Sequence, residues 1–130
     1  MDTSLEIKSS VSSATLQFEK SGADSLVVRV SRPEVSATFE VYYEEFSGLV
    51  ELLESVGRDW RGWSGNRVWE SDEGTVLISC KTDCRGHVFL TVSLRKDFGQ
   101  PEPWLVQFQL NTEPAQIEIL ARQMRKELLR

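Results

Sequence analysis

Residues 26–56 read LVVRVSRPEVSATFEVYYEEFSGLVELLESV, and the spacing of their apolar side chains changes once along the way. Leu26, Val28 and Val30 fall at every second position, which is the period of a strand with one buried face. From residue 42 the apolar side chains follow at helical intervals. This second stripe consists of Tyr42, Phe46, Leu49, Leu53 and Val56. The stretch predicts strands followed by a helix over about 42–56, with Gly57 ending the helix in the left-handed C-cap conformation.

Alternating segments lie on both sides of this helix. They cover about 5–7, 14–18, 26–30 and 35–41 before it, and about 67–70, 76–80, 88–94 and 104–110 after it. Turn residues such as Gly74 and Gly86 separate neighbouring segments. A second helix is predicted over about 112–129, with Asn111 or Thr112 as its cap and Pro114 in its first turn.

The connections between consecutive strands are short, which favours antiparallel pairing, and the alternation gives each sheet one solvent-facing side. The sequence therefore predicts an α+β fold of seven or eight strands. The strands form a curved antiparallel sheet or a compact sandwich, with the two helices over an open face or end. A chain of 130 residues without an internal linker is expected to form one domain over 1–130.

Overall charge and hydropathy argue against several classes of partner. The formal net charge is −5 and the pI is about 4.9, whereas binding to nucleic acid requires clustered Lys and Arg. No segment approaches the ~20 apolar residues that cross a bilayer, and the polar start lacks the apolar run of a secretion signal. We therefore expect a cytoplasmic protein with reduced cysteines and with neither a nucleic-acid nor a membrane partner.

Cys80, Cys84 and His87 form a C-x3-C-x2-H group, the grouping in the chain that comes nearest to a metal site. Structural zinc needs four ligands, and the fourth would have to be a carboxylate such as Asp83. Cys80 is expected on an inward strand face and Cys84 in a turn, so we predict no metal and no cofactor. His87 is expected to fix the hairpin through a hydrogen bond. Without a nucleophile, a base and an orienting group, the chain is predicted not to be an enzyme.

The stretch from Pro33 to Gly57 contains carboxylates but neither lysine nor arginine. Its acidic residues are Glu34, Glu40, Glu44, Glu45, Glu51 and Glu54. With the apolar stripe of the helix turned inward, Glu44, Glu51 and Glu54 are expected to face water as a surface of one sign. Such a field attracts a basic partner, so Glu44, Glu45, Glu51 and Glu54 are candidate partner-binding residues. A solvated helix face without a partner is the alternative interpretation.

Residues 60–69 read WRGWSGNRVW and contain three tryptophans. Tryptophan and arginine are enriched at binding hot spots and stack on one another through cation–π contact. The alternative is that the rings plug the open end of the sheet below the first helix, since aromatic loops are rarely left in contact with water. In that interpretation Arg61 and Trp63 remain the parts of the loop that reach a partner.

A longer pattern that begins with this loop resembles a known family. Residues 60–71 (WRGWSGNRVWES) are followed by an acidic turn with Gly74, by GHV at 86–88 and by VSLR at 92–95. Over about residues 46–130 this pattern resembles DUF6228, a bacterial family of uncharacterised domains. The topology and the Gly-His turn are also similar to WapI-type immunity proteins, which neutralise a contact-dependent toxin. That second resemblance implies a cytoplasmic binding protein without enzymatic activity, whose partner is a cognate toxin domain.

Three functions remain open at this point. The leading hypothesis is a small bacterial binding protein, an immunity-type inhibitor that holds a basic toxin-like domain through its acidic surface. The second is a small-molecule-binding or enzymatic domain with a pocket between the sheet and the first helix, lined by the tryptophans and served by His87 or Cys84. The third is a homo-oligomeric domain, such as a homodimer paired through an exposed sheet edge.

Overall fold

The computed structural model describes residues 5–22, 25–42, 46–72, 74–96 and 101–128. The first half of the chain contains β1 (Leu5–Lys8), β2 (Thr15–Ser21), β3 (Ser25–Arg32), β4 (Val35–Tyr42) and α1 (Phe46–Arg58). The second half contains β5 (Arg67–Glu70), β6 (Val76–Thr82), β7 (Val88–Lys96), β8 (Trp104–Thr112) and α2 (Pro114–Leu128).

The strands form two four-stranded sheets, in the orders β1-β2-β3-β4 and β5-β6-β7-β8. All pairings are antiparallel, and within each sheet every strand pairs with its neighbour in sequence. The predicted α+β class is confirmed. Of the two predicted arrangements, the strands adopt two separate sheets rather than one continuous curved sheet.

One hydrophobic core joins both sheets and both helices. The register places Phe18 opposite Val28 in the first sheet and Cys80 opposite Leu90 in the second, and all four side chains are buried. From α1, Leu53 packs into the same core. A slip of one residue in any strand would turn its apolar side chains to solvent, so burial of this face fixes the register.

The first helix begins later than its apolar stripe predicts. Tyr42 ends β4, where it lies opposite Ser25 of β3, and its side chain is exposed. The helical spacing of Tyr42 is therefore coincidental, because pairing with β3 extends the strand by one more residue. The predicted boundary at residue 42 is wrong, and α1 starts at Phe46.

Gly57 does not end α1, so the predicted helix stop is wrong. The helix continues to Arg58, and Gly57 does not have the positive φ of a left-handed cap. A Cβ atom at Gly57 would lie 2.8 Å from Cβ and 3.0 Å from Cα of Glu118 on α2. The glycine therefore serves the close approach of the two helices.

The second helix starts close to its predicted position. Pro114 is its first residue, as its lack of an N–H group favours. Thr112 is the last residue of β8, opposite Val88, so neither Thr112 nor Asn111 caps the helix. The carbonyl oxygen of Glu113 instead accepts the first hydrogen bonds, from the backbone nitrogens of Gln116 and Ile117.

Candidate functional site

The loop that leaves α1 packs directly on the turn between β6 and β7. Gly62, with φ of +108°, lies so close to this turn that a Cβ atom would be 2.6 Å from Sγ and 3.0 Å from Cα of Cys84. Sγ of Cys84 is 3.9 Å from the carbonyl oxygen of Trp63. We call residues 59–66 the aromatic loop. This contact fixes the position of the loop on the turn. The side chain of any other residue at 62 would push the loop and the turn apart.

Arg67 ties the aromatic loop to α1. Its Nη2 atom lies 2.7 Å from Oδ2 of Asp59, and its Nη1 atom donates to the carbonyl oxygen of Ser55 at 3.0 Å. The guanidinium also covers the ring of Trp63, 4.5 Å from the ring centroid. Three contacts of one planar cation therefore hold the start and the middle of the loop in fixed positions.

Trp60 is the tryptophan that the loop presents to solvent. Its side chain is 59% exposed, and the guanidinium of Arg61 lies 4.8 Å from its ring centroid. Trp63 is only half-buried at the edge of the core, and Trp69 lies within the core. Arg61 is exposed. The sequence-based interpretation named Trp63 and not Trp60 as the ring that reaches a partner, because Trp60 and Trp63 both lie among arginines and glycines and only packing distinguishes them.

Asp83 and His87 close the turn beneath the loop. Oδ2 of Asp83 lies 2.6 Å from Nδ1 of His87, and Oδ1 accepts hydrogen bonds from the backbone nitrogens of Arg85 and His87. The hydrogen bond from His87 is the main reason that the pKa of the Asp83 carboxyl lies below its ordinary range. The predicted hydrogen bond of His87 within the hairpin is confirmed. Among the described residues no group of three or more metal-ligating side chains comes together.

The two cysteines have opposite environments. Cys80 is completely buried, and burial raises the pKa of its thiol to about 12. Cys84 is exposed at the turn, where its φ of +60° is the left-handed conformation. The thiolate is the nucleophilic form of cysteine, so burial and the raised pKa both suppress reaction at Cys80, whereas the thiol of Cys84 is accessible.

A thiol reagent is expected to modify only Cys84 in the native protein at mildly alkaline pH. Mass spectrometry should detect one adduct before unfolding and two adducts in denaturant, since Cys80 becomes accessible only when the core opens. The Cys84→Ser variant should carry no adduct in its native state. Rapid native labelling of Cys80 would contradict this assignment.

The predicted acidic face of α1 is partly neutralised by α2. Both carboxylate oxygens of Glu54 accept from Arg125, at 2.6 Å from Nε and 2.8 Å from Nη2. The pKa of Arg125 is raised by Glu54 and, to a smaller extent, by Glu51. Glu51 itself is exposed. Glu44 and Glu45 lie outside the described residues, so Glu51 is the described member of the predicted set that faces solvent without a hydrogen-bonded arginine.

The Glu54–Arg125 pair predicts a small dependence of stability on pH. The hydrogen bond from Arg125 lowers the pKa of Glu54 below its ordinary value of 4.5. The charged carboxylate therefore stabilises the fold fully above that value, and the contribution is lost as the pH falls through the lowered pKa. In denaturation curves recorded from neutral to acidic pH, Glu54→Gln should cost less than about 1 kcal/mol at neutral pH. The difference from wild type should vanish in acid, and a constant difference would contradict the linkage.

Three grooves formed by described residues lie away from the aromatic loop. One of about 540 Å³ runs along the surface between α1 and α2, another of about 490 Å³ lies beside β1 and the start of α2, and a third of about 340 Å³ lies at the start of β8. The first is lined by Glu54, Arg58, Glu118, Ala121, Arg122, Arg125 and Lys126. The third groove is lined by Trp104, but none of the three contains a tryptophan of residues 60–69, Cys84 or His87. The predicted ligand pocket between the sheet and the first helix therefore does not coincide with any of them.

Neither of the helices in the described part of the chain is both long and apolar enough to cross a bilayer. No curated protein and no solved structure shows significant similarity to the chain. The family model of DUF6228, a family of unknown function, matches residues 3–130. The match also includes the first sheet, so the family resemblance is wider than the predicted 46–130. The chain therefore belongs to the DUF6228 family.

Proposed function

We propose that this protein is a binding protein of the immunity type, which covers the surface of a partner protein and catalyses no reaction. The observation that carries the proposal is the exposed ring of Trp60 with Arg61 stacked on it. Tryptophan and arginine are the residue types that most often dominate binding energy at interfaces. An apolar ring of this size on the surface is explained by a partner that buries it.

The construction of the loop supports this role. Arg67 fixes both Asp59 and Trp63, and Gly62 rests on the β6–β7 turn. A loop that is rigid before binding loses little conformational entropy when it binds, which raises affinity. Trp60 is therefore a preorganised anchor for a complementary apolar pocket on the partner.

Charge supports a basic partner. The chain carries a net charge of −5, and Glu51 is exposed on α1, the helix that leads into the aromatic loop. A negative field increases the rate at which a basic protein is encountered. Together with the resemblance to immunity proteins, this favours a basic toxin-like domain, met in the cytoplasm.

The test is capture of partners from the native host on immobilised protein. Wild type should retain a specific protein. Trp60→Ala should retain at least about tenfold less of this protein, because truncation of a hot-spot residue weakens binding to this extent. The matched control is Ile119→Ala, which removes another exposed apolar side chain, on α2, and should leave capture unchanged. Equal retention by wild type and Trp60→Ala, or no retained protein at all, would overturn the proposal.

A further inference from the structure

The two sheets have four edge strands; two of them are short and covered by helices, and a third is covered at one end. β1 and β5 have four residues each and pack against α2 and α1 respectively. At the end of β8, Asn111 is engaged by the β1–β2 turn. Its carbonyl oxygen accepts from the backbone nitrogen of Ser10 at 2.8 Å, and its nitrogen donates to Oγ of Ser9 at 3.1 Å. Short length and coverage are common ways in which proteins prevent edge strands from pairing with other chains.

β4 lacks these protections in the described part of the chain. It has eight residues, VSATFEVY, and contains no proline, lysine or arginine. Its only pairing among the described residues is with β3. Its inward face is incompletely covered, with Val35 40% exposed and Ala37 and Phe39 half-buried. A long edge strand with partly exposed apolar side chains is a template for another strand.

We propose that β4 pairs antiparallel with β4 of a second copy of this chain, across a two-fold axis at Thr38, and that the protein is a homodimer. The two first sheets then form one continuous eight-stranded sheet. A two-fold axis places the same strand on both sides of the interface. The backbone groups of one β4 can then bond to those of the other β4, and no further segment is needed. The inference uses a surface separate from the aromatic loop and does not rest on the proposed function.

The side chains of β4 are complementary to themselves in this register. Thr38 lies opposite Thr38 of the partner, a pair that forms hydrogen bonds in sheets. The other opposed pairs are Val35 with Val41, Ala37 with Phe39, and Ser36 with Glu40. The inward side chains remain on the inward face, and the large Phe39 ring meets the small Ala37.

Neighbouring registers fit less well. Moving the axis to Ala37 would place Glu34 opposite Glu40, and directly opposed like charges are destabilising. Moving the axis to Phe39 would oppose two rings that are each already stacked on Trp104, at 5.5 Å between centroids. An axis between two residues would oppose inward and outward side chains, which the pleat forbids.

The register is tested by adding the same charge at two positions of β4. Thr38→Lys places two lysines opposite one another, close to Arg29, which lies opposite Thr38 in the sheet. We expect the association constant to fall at least about tenfold, because directly opposed like charges repel. Ser36→Lys is the matched control, since it adds the same lysine on the same outward, exposed face, opposite Glu40 of the partner. This variant should keep the dimer.

Sedimentation equilibrium over a range of concentrations measures the outcome. Wild type and Ser36→Lys should reach twice the chain mass of 14.8 kDa, and Thr38→Lys should remain at the chain mass. Thermal melting of both variants verifies that each one is folded. A wild type that stays at the chain mass, a Thr38→Lys variant that dimerises like wild type, or loss of the dimer in both variants would overturn the proposal.

Discussion

Replacing Gly62 by alanine is expected to lower the free energy of unfolding by about 3 kcal/mol. Two effects add. At φ of +108° an L-residue is strained, and its Cβ atom would lie 2.6 Å from Sγ and 3.0 Å from Cα of Cys84. The sulfur can rotate away, but the backbone of the β6–β7 turn must shift. Equilibrium denaturation with urea measures the change, provided that the slope of the transition matches that of wild type.

Gly65→Ala is the matched control in the same loop. Gly65 also has a positive φ, of +79°, but a Cβ atom there would have no neighbour within 4 Å. This variant should cost only about 1 kcal/mol, from backbone strain alone. The difference between the two variants measures the contact of the loop with the turn. Equal losses would show that this contact contributes nothing to stability.

Gly57→Ala should separate α1 from α2 at their point of closest approach. Its Cβ atom would lie 2.8 Å from Cβ of Glu118 and 3.0 Å from Cα of the same residue. Because α2 offers backbone at this point and not the end of a flexible side chain, a helix must move. We expect a loss of about 2 kcal/mol, the size typical of overpacking. The loss occurs although alanine is the better helix former.

Gly48→Ala, in the same helix, should change the free energy of unfolding in the opposite direction. A Cβ atom at Gly48 would meet the ring of Trp69 at 3.4 Å, which is ordinary contact. Helix propensity should then dominate, and the variant should gain up to about 1 kcal/mol. Thermal denaturation of Gly57→Ala and Gly48→Ala side by side checks both signs. Stabilisation by Gly57→Ala would show that the helices separate at little cost.

Local periodicity predicted most of the fold. Alternation over 26–30 and 35–41 identified β3 and β4, and the stripe through Leu49 and Leu53 identified α1. These predictions succeed because a side chain two, three or four positions away lies on a face that local geometry determines. Tyr42 shows where prediction from periodicity fails. It fits both periods, and its pairing with Ser25, 17 residues earlier, decides that it belongs to the strand.

The candidate site was predictable as a segment but not in its details. The density of Trp, Arg and Gly in residues 60–69 identified the aromatic loop. Which ring is exposed depends on Arg67, which covers Trp63 and leaves Trp60 to Arg61. No local pattern contains this choice, because it follows from the position of α1 above the loop.

The sequence alone determined the class of the fold, the strands and helices in order, and a hydrogen bond of His87 within its hairpin. Each of these depends on the spacing of side chains along a short segment. Only the tertiary structure decided that Gly57 joins two helices and that Arg125 neutralises Glu54, because these contacts link residues that are 61 and 71 positions apart. The physical reason is that packing and charge pairing depend on distance in space, which periodicity along the chain does not encode.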